Sequence, residues 1–102
     1  MEITEVRISL REEEKLKAFV TITFDGCFVV RGAKVIDGNQ GLFVAMPSRR
    51  KSDGTFQDVA HPICAEMRRE LEEQVLDEYY IEAERQDEPA REYADASRDA
   101  GG

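Results

Sequence analysis

Three consecutive cations, Arg49, Arg50 and Lys51, sit between an apolar run and an Asp53-Gly54 turn pair. Leu42, Phe43, Val44, Ala45 and Met46 read as a strand that Pro47 stops, and residues 56–59 lead to His61-Pro62, a helix entrance. Cations held between ordered anchors lose less entropy on binding than a floppy run does. The chemistry open to them is to hold an anion such as a nucleic-acid phosphate and release its counterions. The plainer reading is a solvated basic turn. Arg68 and Arg69, on the first helical turns, could extend the surface, or could simply pair with Glu72 and Glu73 at i,i+4 spacing. Phe43, Phe56, Tyr79 and Tyr80 have faces on which bases could stack. Their spacing favours a core role, and Phe56, beside the basic loop, is the best stacking candidate of the four.

A second set, Asp58, His61 and Cys64, has the residue types of a nucleophilic triad. Such a site needs spatial geometry, and three-residue spacing across a strand-to-helix junction does not supply it. The simpler reading is that Asp58 or His61 caps the helix and Cys64 packs inside. No oxyanion loop or glycine-rich phosphate cradle accompanies the set. No enzymatic activity, cofactor or metal is therefore expected. Cys27 and Cys64 match no metal-ligand spacing, and both are expected to be small buried apolar residues.

The net charge of −8 is unevenly placed. Residues 1–64 hold nine Lys and Arg against nine Asp and Glu, whereas residues 65–102 hold five against thirteen. The acidity thus belongs to the last third and does not oppose a basic site on the body. With 102 residues the chain is one small domain. No apolar run approaches the roughly 20 residues of a membrane helix. The first residues lack the pattern of a secretory signal, so a cytoplasmic location without membrane contact is expected.

The elements that must position these residues follow from periodicity. Val6, Ile8 and Leu10 alternate with polar residues, and residues 11–15 form a hairpin loop. Leu16, Ala18, Val20, Ile22 and Phe24 share one strand face, with Lys17, Phe19, Thr21 and Thr23 on the other. Asp25-Gly26 signals a tight turn. A third strand over 27–36 carries Gly32, a bulge signal, and residues 37–41 turn into the fourth strand, 42–46. That strand is nearly all apolar, which predicts cover on both faces. Ile63, Met67, Leu71, Val75 and Tyr79, with Leu76 and Tyr80, predict one helical stripe from Pro62 to about 84. The predicted fold is α+β: an antiparallel meander of four to five strands, then an amphipathic helix packed on the sheet. The domain is placed at 1–86 and an acidic disordered tail at 87–102.

The run Gly41-Leu42-Phe43-Val44-Ala45-Met46-Pro47-Ser48-Arg49-Arg50, followed by Asp53-Gly54, Phe56, Asp58 and Ala60-His61-Pro62-Ile63, closely resembles the SpoVG family. Ile3-Thr4-Glu5-Val6-Arg7, Phe28-Val29-Val30 and Val35-Ile36-Asp37-Gly38-Asn39 are similar to it as well. The resemblance covers residues 1–80. It implies a small α+β fold, a homodimer whose sheets join edge to edge, and a regulator of septation or sporulation that binds DNA and also RNA. Pro47-Ser48-Arg49-Arg50 matches the family's basic segment, which implies Arg49, Arg50 and Lys51 as a binding surface, joined by early helix residues. Cys64-Ala65-Glu66 stands where members often carry small polar residues. A different reading is a protein-interaction module of the division or transcription machinery, recruited by the acidic helix face and tail.

Overall fold

The computed structural model describes residues 1–87, in which six strands precede one helix. Strands β1 (Ile3–Leu10), β2 (Leu16–Phe24), β3 (Phe28–Gly38) and β4 (Gly41–Ala45) form an antiparallel sheet in the order β1-β2-β3-β4. β5 (Ser48–Arg50) and β6 (Phe56–Asp58) form a separate two-stranded hairpin, and α1 (Ala65–Asp87) follows. The α+β meander read from periodicity is the observed fold. The predicted tail lies outside the described residues, and α1 is still helical at Asp87.

The central strand sets the core. Ala18, Val20, Ile22 and Phe24 of β2 are buried, as period-two alternation requires. Ile3, Ala33, Val35 and Val44 join them from the other strands, and Leu71 and Val75 from the helix. Val75 is 0% and Leu71 3% exposed. α1 packs across one face of the sheet and lies closest to the outer strands β1 and β4. Glu66 in the first turn and Arg85 in the last suit the helix dipole, and Arg85 bonds Glu82 at 2.9 Å. Burial raises the pKa of Tyr79, with Tyr80 and then Asp37 adding to the effect.

Two backbone features fix the register. Asp25 (φ 52°) and Gly26 (φ 64°) both take the left-handed conformation of a primed hairpin turn. That turn is tied to β1, where Asp25 Oδ1 accepts from Glu2 N–H at 2.9 Å and Thr4 Oγ1 from Gly26 N–H at 2.8 Å. At Gly32 (φ 91°) β3 bulges: Arg31 pairs with Thr21 while Ala33 pairs with Val20.

The structure corrects several expectations. α1 begins at Ala65 and not at Pro62, and Ile63 is 93% exposed. The four-residue period runs on through Ile63, but no sheet lies under it to receive the side chain. Cys27 and Cys64 are both exposed, because one sits in the β2–β3 turn and the other just before the helix. β4 is an edge strand covered on one face: Val44 points inward and Phe43 is 43% exposed. Leu16 leaves the core row, since a register shift sets it opposite Ile36 while Ala18 faces Val35.

Truncating Leu71 to Ala is expected to destabilise the domain by about 2–5 kcal/mol in urea unfolding, whereas Ile63→Ser changes stability by no more than about 0.5 kcal/mol. Equal effects at the two positions would contradict this placement of the stripe.

Candidate nucleic-acid interface

The three loop cations belong to a hairpin that stands out from the body. All residues from 48 to 59 are exposed. Isolated two-stranded hairpins are marginal in water, so the ribbon depends on its ends. At its base Val59 N–H donates to the Pro47 carbonyl at 2.8 Å. At its tip Lys51 N–H donates to the Thr55 carbonyl at 2.7 Å and Gly54 N–H to the Lys51 carbonyl at 3.0 Å. Asp53 Oδ1 accepts from both the Thr55 hydroxyl (2.7 Å) and the Thr55 N–H (3.0 Å). These bonds, the hydroxyl first, hold the Asp53 carboxyl below its ordinary pKa.

Pairing assigns each cation a side. Arg50 lies opposite Phe56 and Arg49 opposite Gln57. Arg50 and Phe56 therefore share one face of the ribbon, and Arg49 takes the other. Phe56 is 69% exposed. The sequence run of three cations is thus split across two faces, with a cation and an aromatic side by side on one of them. Among the described residues the ion pairs are Arg7 with Glu5 and Arg85 with Glu82, so the hairpin cations have no carboxylate partner there.

Arg68 and Arg69 lie exposed on the first turns of α1. The expected pairing with Glu72 and Glu73 does not form. Arg68 Nη2 instead reaches the Pro62 carbonyl at 3.5 Å, and Glu72 Oε2 accepts the Val44 N–H of β4 at 3.2 Å. Among the described residues no hydrogen bond joins these arginines to the hairpin. Asp58, His61 and Cys64 do not form a relay: among the described residues they share no hydrogen bond, and His61 Nδ1 lies 3.0 Å from the Pro62 carbonyl oxygen. Tyr80 is exposed and Tyr79 half-buried, their rings meeting edge-on at 5.5 Å. Near the helix entrance an apolar groove of about 170 Å³ lies between Met1, Phe24, Phe28, Met46, Pro62 and Met67.

A second basic surface emerges only from the strand pairing. The sheet face opposite α1 presents Arg7, Arg31 and Lys34. Phe19 lies among them, and the Arg11 guanidinium sits over its ring at 4.9 Å. The alternation that placed Phe19, Thr21 and Thr23 on one face of β2 was the available signal. It could not place the residues of β1 and β3 beside them.

The SpoVG family model matches residues 1–81. The chain belongs to the SpoVG family. A relative from Anaeromyxobacter sp. (strain Fw109-5) is 62% identical over 79 residues, covering 78% of this chain and 81% of its own. Relatives from Clostridioides difficile (strain 630) and Myxococcus xanthus (strain DK1622) are 57% and 54% identical, each over 78% of this chain and over 88% and 80% of their own. All three bear the name "Putative septation protein SpoVG". The SpoVG match spans the sheet, the basic hairpin and most of the helix, and it stops short of the acidic end. Among the described residues no helix is long and apolar enough to cross a membrane, and no three His, Cys, Asp or Glu side chains cluster as a metal site.

Thr55→Val removes the hydroxyl donor to Asp53. The Asp53 pKa is expected to rise part of the way back toward 3.8, followed by NMR titration of the carboxyl carbon. Because the folded value is depressed, this carboxylate supports the turn above pH 3.8 and the support is lost as pH falls through the lowered value. In the variant the loss sets in at higher pH. An unmoved titration would show that the hydroxyl bond is not made in solution.

Proposed function

We propose that this protein is a non-enzymatic, nucleic-acid-binding regulator that acts as a homodimer in the cytoplasm, in the septation-related role named in its relatives. The observation that carries the binding reading is the hairpin: three exposed cations without carboxylate partners among the described residues, and an exposed Phe56 set opposite Arg50. Cations of this kind release counterions from a phosphate chain, and an aromatic beside them offers a face to a base. The hairpin's fixed turn lowers the ordering cost of that contact. The relatives' name speaks of septation and not of a reaction, and among the described residues no hydrogen bond links Asp58, His61 and Cys64.

Dimerisation by edge joining has a physical motive, since an unpaired edge strand is a liability that another copy's strand removes. Of the two edge strands, β1 has eight residues and β4 five, and one β4 donor is already taken by Glu72. We therefore assign the joining to β1. A dimer presents two hairpins to one ligand and raises affinity without new contacts.

Replacing Arg49, Arg50 and Lys51 together with Gln tests the reading by titration of labelled DNA and RNA at two salt concentrations. Affinity is expected to fall and the salt slope to drop by about 2–3, near one unit per lost phosphate contact. An unchanged slope would remove the hairpin as the site, and intact protein without salt-sensitive binding would favour recruitment of a protein partner. Sedimentation at micromolar concentration is expected to give twice the 11.6 kDa chain mass. A species at the chain mass alone would overturn the edge-joining assignment.

A further inference from the structure

We propose that the sheet face opposite α1 is a platform for single-stranded nucleic acid, separate from the hairpin. The inference deepens the nucleic-acid reading and rests on it, but it uses different residues and predicts a different strand preference.

The ladder places the residues. Arg7 of β1, Thr21 of β2 and Arg31 of β3 form one row across the sheet, and Ser9, Phe19 and Lys34 form the next. The helix packs on the reverse, against Ala18, Val20, Ile22 and Val35, so no described element covers these rows. Arg7, Arg31 and Lys34 are exposed, and Phe19 is half-buried between Ser9 and Lys34. Arg11 follows β1 and lays its guanidinium over the Phe19 ring. The Arg11 backbone N–H donates to the Lys17 carbonyl at 2.8 Å, which continues the β1–β2 ladder and keeps Arg11 beside the sheet.

Gly32 is what makes this a surface. Arg31 and Lys34 are three residues apart, and in a regular strand an odd separation sends side chains to opposite faces. The bulge adds one residue, so both pair with residues of the same β2 face, Thr21 and Phe19. The neighbouring carboxylate on this face is Glu5, one row along opposite Thr23, which lies 3.0 Å from Arg7 Nε. Four cations against one carboxylate give the face a net positive charge in a chain whose overall charge is −8.

The geometry favours a single strand over a duplex. Adjacent rows are about 7 Å apart and Arg7 and Arg31, two strands apart, about 10 Å. A flat array of this size can follow a sugar–phosphate chain. The stacked Arg11 and Phe19 at its centre present a planar cation and a ring to a base, and only an unpaired base offers its face to them. The array also leads toward the hairpin. Lys34 pairs with Ala45, the last residue of β4, and the space beside Gly32 is bordered by Pro47 at the hairpin's base.

The test uses the full chain and two variants, Arg31→Gln/Lys34→Gln and Arg11→Lys, both checked for an unchanged thermal midpoint. The probes are a 20-nucleotide oligouridylate, the matching oligodeoxyuridylate and a 20-base-pair DNA duplex, each titrated at two salt concentrations. The double variant is expected to bind both single strands at least tenfold more weakly and to lose about 1.4 from the salt slope, at about 0.7 per phosphate. Duplex affinity is expected to stay within twofold. Arg11→Lys keeps the charge, and it is expected to lose the fluorescence quenching of a 2-aminopurine placed mid-strand while salt dependence remains. Comparison of the two single strands tells whether the 2′-hydroxyl contributes. Three results would overturn the platform: single-strand binding unchanged in the double variant, equal losses for duplex and single strands, or a change in sedimenting mass that makes this face a contact between copies. The hairpin triple variant separates the two readings. If it alone abolishes binding, the sheet face falls and the hairpin stands; if the double variant alone does so, the reverse holds.

Discussion

Val75 is closed off from solvent where α1 meets the sheet, and Leu71, one turn earlier, is nearly so. Together they fill the space over Ala18, Val20, Ile22 and Val35. A domain of this size buries a modest fraction of its surface, so one well-filled contact carries a large share of its stability. Everything else is arranged around keeping that contact. The β2 alternation supplies the apolar floor, and the tie between Asp25, Thr4 and Glu2 holds β1 in place beside it. The Glu72 bond to Val44 N–H then fastens the helix to the far strand.

One helix can cover only one face of a four-stranded sheet. The opposite face must stay compatible with water, and so must a hairpin that has no core of its own. Those are the two places where cations and aromatics collect, Arg50 with Phe56 and Arg11 with Phe19. The proposed recognition surfaces are thereby separate from the one that carries stability. The acidic helix also fits this division: Glu66, Glu70, Glu73, Asp77 and Glu84 are exposed, and the helix lies across the sheet from the basic rows.

Where local chemistry decides the outcome, the residue types already contain the answer. From Ala18 to Phe24, β2 keeps a two-residue period because it is an inner strand with one face against the helix. Asp25-Gly26 announces a tight turn and Gly32 a bulge, and both form there. The identity of the hairpin cations is equally plain. What the chain does not spell out is anything set by a neighbour. Ile63 continues the helical period but has no sheet beneath it. β4 looks doubly covered because Leu42, Phe43 and Val44 are all apolar, yet its place at the edge leaves Phe43 half in water. Arg68 and Arg69 have acids at the right spacing, but Glu72 is already committed to a strand. The faces of Arg49 and Arg50 depend on their pairing with β6, and the grouping of Arg31 with Lys34 depends on a bulge whose effect on parity appears only in the ladder.

The bond from Val44 N–H to Glu72 has a meaning beyond holding the helix. A sheet with two open sides can accept another copy on each, and such growth has no natural end: the product is a filament. Occupying a donor on one side with a carboxylate from the same chain spoils that side as a template. A sheet with a single receptive side stops growing once it has met its twin. In the proposed dimer one glutamate thus helps to make assembly self-limiting, which matters for any protein whose central sheet is half uncovered.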